Sequence, residues 1–328
     1  MNLKSVLSEK FVNIDKVADI IEIGLITKKN VFLYGRGGHA KSEIAQEILK
    51  FVDPEGRNSF VLACGEGLTE EKLFGGVDIA KFQKSGVIEH LVHNSFMNYK
   101  YVVFEELLDS RMNVLLSLKD ILTSKKFRNG NQVFDIKTEF IIVLTNRTKQ
   151  EVSEDNSIKA LLERFPLEMK VEWDSYTSGD YCSMFNKVLK NPYPEVAKIC
   201  QTLNESGDFV SPRTAIHMAE VASKKGLEAL TYFGMSSNII DEIKKQKKDS
   251  QDLNFLKINK DRFETLGSCN LSLLDIKIRI RSLKAISSEI ESRKYSDKVF
   301  EEYSKLKRRI DEHLAAYRAK LTKIIEDE

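Results

Sequence analysis

Apolar residues along this chain of 328 positions follow three spacings. The first is the short apolar run of a buried strand, at Val31–Tyr34, Ser59–Ala63, Tyr101–Phe104 and Phe140–Leu144, with Leu167–Val171 as a fifth strand. The second is the three-to-four spacing of amphipathic helices. Leu3, Val6, Leu7, Phe11, Ile14, Val17, Ile20, Ile21 and Ile23 keep it over residues 3–29, as two short helices meeting near Asn13. Ile44, Ile48, Leu49 and Val52 keep it directly after the first strand, and Met112 to Leu122 again reads as helix. Leu73 to Asn94 is less regular: Gly75-Gly76 and Gly86 punctuate it, and it reads as a hairpin or a broken helix. Asn129-Gly130, between alternating flanks, predicts a second hairpin.

After Trp173 the pattern changes. Ser178–Leu189, Pro194–Leu203, Pro212–Lys225 and Leu227–Tyr232 predict four short helices, separated by Asn191-Pro192, Gly207 and Gly226. Residues 241–253, DEIKKQKKDSQDL, read as a charge-dense connector, solvated and mobile. The third spacing lies beyond Ser268, where glycine and proline are absent. Val299, Tyr303, Leu306, Ile310, Leu314, Tyr317, Leu321 and Ile324 approach a coiled-coil seam, with a shorter stripe at Leu283, Ile286 and Ile290. A break at Lys294–Asp297, with Ser296 or Asp297 as N-cap, predicts a helical hairpin. A hairpin without a third layer buries little, so it is expected to dock on a neighbouring subunit or partner. The organisation expected is an α/β core over 1–175, an all-α lid over 176–240, a charged linker over 241–267 and the hairpin over 268–328.

The strand Val31–Tyr34 runs into Gly35-Arg36-Gly37-Gly38-His39-Ala40-Lys41-Ser42 and then into a helix beginning near Glu43. Strand, glycine turn, Lys-Ser and helix is the order a phosphate-cradling loop needs. Glycines let backbone N–H groups turn inward on a polyphosphate, and the helix N-terminus adds partial positive charge. The candidate nucleotide-binding residues are Gly35, Gly37, Gly38, His39, Ala40, Lys41, Ser42 and Glu43. Lys41 is placed to reach the β- and γ-phosphates, and the Ser42 hydroxyl to hold Mg²⁺. The pattern G-x-x-x-x-G-K-[ST] departs at one fixed position, where Ala40 replaces glycine. Alanine fits if that residue already has helical backbone angles, so the change is expected to be mild.

Tyr101–Glu106, YVVFEE, closes an apolar run on two acids. By itself such a pair is an ordinary solvated turn. In P-loop enzymes, a strand read as lying beside the nucleotide strand ends this way, the first acid serving the metal and the second the attacking water. Glu105 is therefore the candidate metal ligand, one methylene longer than the usual Asp, and Glu106 the general base. Phe140–Leu144 ends in Thr145-Asn146, which puts Asn146 at a strand tip able to hold the water or the γ-phosphate. Arg164, at the end of a short helix before Leu167–Val171, is by default a surface residue. Ser211-Pro212-Arg213 is a helix start with proline in the first turn, aiming Arg213 back at the nucleotide.

A formal net charge of +2, with 42% hydrophobic and 30% charged residues, describes a soluble globular protein with no bulk attraction for nucleic acid or membranes. The lysines of the connector are largely cancelled by the acids around them. No apolar run approaches the roughly 18 residues of a spanning helix and no signal-peptide core opens the chain, so a cytoplasmic protein is expected. Cys64, Cys182, Cys200 and Cys269 show no paired spacing and read as reduced thiols. Five histidines without H-E-x-x-H spacing predict no dedicated transition-metal site.

Taken together, GRGGHAKS, YVVFEE, LTN and LLERF, in this order and spacing, resemble the AAA+ ATPases. Within them the chain looks like the MoxR branch, particularly its RavA-type members, whose glycine loop also commonly ends in A-K-S. LFGGVDIAKFQKSGVIEHL resembles their insertion in the second helix, and KKFRNGNQVFDIKTEF their hairpin before the sensor strand. The resemblance covers about residues 1–235. It implies ATP and Mg²⁺ on Lys41 and Ser42, Glu105 and Glu106 as the paired acids, and Asn146 as first sensor. It also implies Arg164 as the finger inserted into a neighbouring subunit's site and Arg213 as second sensor. The expected strand order sets Arg164 at the far edge of the core from Lys41, beyond the sensor strand. Glu105 in place of Asp, and Arg36 and His39 in a loop that is normally smaller and less charged, are departures bearing on turnover more than on binding. The function implied is mechanochemical: ATP hydrolysis in a ring, expected to be hexameric, remodelling a client protein, often one with a von Willebrand factor A domain. A nucleotide-gated scaffold with little hydrolysis is the competing expectation, and a nucleic-acid motor is disfavoured by the charge balance.

Overall fold

Five strands, β1 (Val31–Tyr34), β2 (Ser59–Ala63), β5 (Tyr101–Glu105), β8 (Phe140–Thr145) and β9 (Leu167–Lys170), form one parallel sheet in the order β2-β5-β8-β1-β9. The intervening numbers belong to two small ribbons described below. In β8 every residue is buried, and in β1 the first three are, so both read as unbroken apolar runs. The edge strands alternate instead, as β9 does through Leu167, Glu168, Met169 and Lys170. The computed structural model describes residues 2–129, 132–147, 156–173, 175–266 and 272–326. It divides into two compact units, Met1–Leu230 and Thr231–Glu328.

In the first unit, α1 (Leu3–Lys10) and α2 (Asp15–Thr27) are separated where Asn13 adopts a left-handed conformation, φ +55°. Asn2 caps α1 by accepting from the Ser5 N–H at 2.8 Å. The helix α3 (Lys41–Val52) buries Ile44, Ala45, Ile48 and Leu49. A short α4 (Glu70–Phe74) leads into the irregular stretch, which combines both forms expected for it. There β3 (Gly76–Val77) pairs antiparallel with β4 (His90–Leu91), and α5 (Ile79–Ser85) stands between them with no buried residue. The helix α6 (Met112–Ser124) is followed by β6 (Lys126–Asn129) and β7 (Gln132–Asp135), an antiparallel ribbon; Gly130 of the hairpin cue lies outside the described residues. Then come α7 (Asn156–Leu162) and, after β9, the lid helices α8 (Ser178–Leu189), α9 (Pro194–Glu205) and α10 (Pro212–Lys225). The fourth lid segment, Leu227–Phe233, is a 3₁₀ helix. Thr177 and Asp180 close a reciprocal capping box on α8, and Ser211 caps α10 ahead of Pro212.

The second unit corrects the reading of a linker followed by a bare hairpin. Residues 241–253, read as a mobile connector, lie inside the 29-residue helix α11 (Ser237–Thr265). The helices α12 (Leu273–Glu291) and α13 (Asp297–Glu326) form the hairpin, and α11 supplies the third layer. Leu256 and Phe263 from α11 join Leu283, Ile286 and Ile290 from α12 and Val299, Leu306, Ile310 and Leu314 from α13 in one core. A separate partner is therefore not needed to bury the seam. Ser268 and Cys269 lie outside the described residues.

Candidate phosphate-loop site

The turn leaving β1 is fastened on both sides before any ligand is considered. The Gly35 N–H donates to the Thr145 carbonyl of β8 at 3.2 Å. A Cβ on Gly35 would come within 2.3 Å of the Val171 carbonyl, so only glycine lets the backbones approach this closely. His39 is buried, its Nδ1 2.9 Å from the Val171 carbonyl and its ring against Phe209 of the lid. The Trp173 indole N–H donates to the His39 carbonyl at 3.1 Å. The imidazole thus packs the loop onto the end of β9. Arg36 lies over the same Phe209 ring, its guanidinium 5.0 Å from the centroid.

Ala40 differs from the expectation of an ordinary helical residue. It has φ +58° and ψ +20°, the left-handed conformation in which a glycine would carry no steric cost. The mild substitution expected from the motif is therefore a strained one. From this residue α3 starts, the Ile44 N–H reaching the Ala40 carbonyl at 2.9 Å.

Lys41 is buried, and its amine donates to the Gly35 carbonyl at 2.8 Å, the Arg36 carbonyl at 2.9 Å and the Asn146 Oδ1 at 2.8 Å. Burial holds the amine below the ordinary lysine range; Arg213 pushes the same way, while Glu106 and Glu43 oppose. The Asn146 amide in turn donates to Glu106 Oε1 at 2.6 Å, and its backbone N–H to Oε2 at 3.1 Å. Glu106 sits in the left-handed region, φ +53°, and its N–H donates to the Leu144 carbonyl at 2.8 Å. A chain of hydrogen bonds thus runs from Lys41 through Asn146 to Glu106 across the carboxyl ends of β1, β8 and β5. That order corrects one detail: β8, not the acid-bearing β5, lies beside β1.

Glu105 ends β5 half-buried, its carbonyl accepting from Cys64 N–H at 2.8 Å. Burial, with Glu105 adding to it, pushes the Cys64 thiol up to about 12, which leaves it unreactive. Ser42 is half-buried in the first turn of α3, and Glu43 is exposed beside it. The lid closes onto the loop from above. A Cβ on Gly38 would meet Ser211 Oγ at 2.6 Å, the Arg213 N–H lies 3.4 Å from the Gly38 carbonyl, and its guanidinium is 3.7 Å from Glu43 Oε1. Gly37, by contrast, is open: a Cβ there would have Asn146 Oδ1 as its nearest neighbour, 4.0 Å away.

Arg164 is at the other end of the sheet. Its carbonyl accepts from Asn30 Nδ2 at 3.0 Å, and Asn30 immediately precedes β1. Its guanidinium donates to Thr123 Oγ1 at 3.0 Å and to Glu163 at 3.4 Å. The strand β9 adjoins β1 directly, on the side away from β8, so the expected placement beyond the sensor strand does not hold. What separates Arg164 from Lys41 is the length of β1, roughly 3.3 Å per residue over its four residues.

A cavity of about 570 Å³ opens beside the loop, and sequence reasoning missed most of its wall. Gly38 and Ala40 floor it, Phe11 and Val12 come from the α1–α2 turn, and Met184 and Ile216 from the lid. The turn is held in place from the lid side: Lys187 donates to the Ser8 and Phe11 carbonyls, the latter at 3.0 Å, and Tyr176 Oη donates to Val12 O at 2.8 Å. No motif marks these residues, which three distant segments bring together. Among the described residues no group of three or more His, Cys, Asp or Glu is arranged to hold a metal ion, and no helix is long and apolar enough to cross a membrane.

A glycine loop between β1 and α3, an acid pair and an asparagine on neighbouring strand ends, and a helical lid folded over the loop define the chain as a P-loop ATPase of the AAA+ class. The chain belongs to the MoxR family: residues 1–178 match the family model described as "MoxR domain in the MoxR-vWA-beta-propeller ternary systems". Among solved structures it is similar to NtrX from Brucella abortus, with 13% identity over 86% of this chain and 70% of that one, at a TM-score of 0.47. It is also similar to Hsp104 in its closed state with ATPγS and casein, with 15% identity over 70% of this chain and 47% of that one, at a TM-score of 0.48. Family membership rests on the first of these matches, and the RavA-type affinity stays a resemblance.

Proposed function

We propose that this chain is an ATP-hydrolysing subunit of a ring, expected as a hexamer, that uses the cycle to remodel or activate a client protein. The observation that carries the reading is the hydrogen-bonded chain from Lys41 through Asn146 to Glu106 at the mouth of the glycine loop. Lys41 rests on two loop carbonyls that phosphate oxygens can replace, with stronger, charge-assisted bonds. The cavity beside Gly38 and Ala40 has the apolar walls a nucleobase needs. Mg²⁺ would be held by Ser42 and Glu105 and would neutralise charge on the phosphate oxygens. Ser42 in the first turn of α3 and the half-buried carboxylate at the end of β5 form an oxygen-donor set suited to that ion.

Asn146 exchanges Glu106 for the substrate side of the site, which frees the carboxylate. Glu106 then takes a proton from the attacking water as the water oxygen bonds to the γ-phosphorus and the bond to the β–γ bridging oxygen breaks. Arg213 carries the state of the site into the lid, and Arg164 serves the site of a neighbouring copy. A client carrying a von Willebrand factor A domain fits the family description, which names such proteins and a β-propeller as members of the same systems.

The scaffold reading has one observation in its favour: both Glu106 oxygens are engaged by Asn146. Steady-state ATP hydrolysis, with and without DNA, separates the readings. Hydrolysis that is abolished in Lys41→Ala and indifferent to DNA is the expected result. Undetectable wild-type turnover with intact ATP binding selects the scaffold, DNA stimulation selects a nucleic-acid motor, and unchanged ATP affinity of Lys41→Ala by calorimetry removes the phosphate-loop assignment.

A further inference from the structure

Two helices, one in each unit, carry exposed faces that complement each other. On α2 the outward stripe is Asp15, Asp19, Glu22, Ile23 and Ile26, with Ile23 50% and Ile26 82% exposed. On α12 it is Leu274, Lys277, Ile278, Arg281 and Lys284, with Leu274 67% and Ile278 53% exposed. At 100° per residue each set falls on one side of its helix. One face is acidic and apolar, the other basic and apolar. Exposed leucines and isoleucines of this size on a helix face, framed by charge of one sign, mark a contact surface.

We infer that the α2 face of one copy of this chain seats on the α12 face of another, with the helices antiparallel. That direction brings together the most exposed apolar side chain of each face, Ile26 and Leu274. Along α2 the acids come first and the isoleucines last, whereas along α12 the apolar Leu274 comes first and the basic residues continue to Lys284. Reversing one helix against the other sets Ile26 beside Leu274, Ile23 and Glu22 beside Lys277 and Ile278, and Asp19 beside Arg281. The spans agree: Asp19 to Ile26 and Leu274 to Arg281 are each seven residues, about 10.5 Å along a helix axis. A parallel arrangement keeps Glu22 with Lys277 and Ile23 with Ile278, but it leaves Asp19 against Leu274 and Ile26, 82% exposed, against Arg281.

The charges are available for this pairing. Asp15 already pairs with Lys4 at 3.3 Å, and Lys16 stands at the flank of the α2 stripe, so Asp19 and Glu22 are the anions that count. The acids flanking the α12 stripe, Glu289 and Glu291, are taken by Arg262 at 2.6 Å and Lys307 at 2.8 Å, which leaves Lys277, Arg281 and Lys284 as the cations that count. A helix-on-helix contact of this length falls short of the roughly 1,000 Å² of a self-sufficient interface. It therefore acts as a repeated contact, reinforcing an assembly that has others. This goes with the ring reading and names one of its contacts, yet it involves no residue of the nucleotide site.

The test uses the full chain. Arg281→Glu, and separately Asp19→Arg, should each raise the concentration needed for assembly by about tenfold or more, since like charges are then opposed. Mass photometry with ATPγS reads this. Combining the two in one chain restores an opposite-charge pair and should restore assembly, which a misfolded variant could not do. Ile26→Cys together with Leu274→Cys should give oxidant-dependent cross-links between chains, absent from either single variant. Reversals that leave a wild-type oligomer unchanged, with no cross-link between chains, overturn the contact and leave the ring standing. A cross-link confined within one chain also overturns it. Cross-links that stop at the dimer keep the contact and remove the ring.

Discussion

At the carboxyl end of β1, one chain already holds together the loop, the lysine, the asparagine and the base: Lys41 reaches Asn146, and Asn146 holds both oxygens of Glu106. At the amino end, Arg164 donates to Thr123, Ala160 and Glu163 and takes the backbone tie from Asn30. The first end is a closed network of hydrogen bonds around the glycine loop. The second is a half-buried cation that, among the described residues, meets no group of the loop. The contrast teaches that the two ends are not joined within one chain, and under the proposed function two copies would supply the binding half and the catalytic half of one site.

The largest expected effect comes from the Arg164 end. Arg164→Ala should bind ATP nearly normally yet hydrolyse it about 10³- to 10⁵-fold more slowly, the usual contribution of an arginine finger. Radiometric turnover beside calorimetric affinity checks both halves of that statement, and an Arg164→Ala variant at full speed would reduce the residue to a surface ion pair. At the other end, Glu106→Gln keeps the shape and one of the two bonds accepted from Asn146, but loses the base. A drop of about 10²- to 10⁴-fold with ATP retained is expected. Equal, slow rates for wild type and Glu106→Gln would mean that the acid does no chemistry. The smallest effect concerns the loop's own strain. Ala40→Gly relieves a left-handed alanine and, net of the entropy glycine adds to the unfolded chain, should stabilise the nucleotide-free protein by about 0.5–1 kcal/mol. Urea unfolding followed by tryptophan fluorescence measures this through Trp173; a loss of stability would mean that Ala40 is not left-handed in solution.

The two ends also differed in how far they could be read from residues alone. Strand, glycine turn, Lys-Ser and helix are contiguous, so Lys41 and its neighbours were evident at once. Glu106 and Asn146 followed from their places at strand ends. Ala40 was misjudged because a motif names residue types and not backbone angles. The position of β9 was misjudged because chain order does not give spatial order in a parallel sheet, and β9 returns to pair with β1 directly. The cavity wall was invisible, since Phe11, Met184 and Ile216 come from segments far apart in the chain. The helix α11 was hidden by its own interior. Its buried positions include Asp249, Asp252 and Asn259 beside Leu256 and Phe263, so polar residues interrupt the apolar stripe. The two aspartates are matched across the unit, Asp249 accepting from Ser296 at 2.7 Å and Asp252 pairing with Arg293 at 3.2 Å, while Asn259 bonds within α11 to Phe255 and Arg262.

A direct test of the division between a binding half and a catalytic half is to mix two inactive variants. Lys41→Ala chains lack a working loop but keep Arg164, and Arg164→Ala chains keep the loop but lack the finger. In mixed assemblies each loop-competent chain that receives a neighbour's Arg164 regains one complete site. Turnover that appears only on mixing, and rises and falls with the ratio of the two variants, is the predicted result. A mixture that stays inactive while mixed assemblies demonstrably form would contradict it, placing Arg164 outside the site altogether.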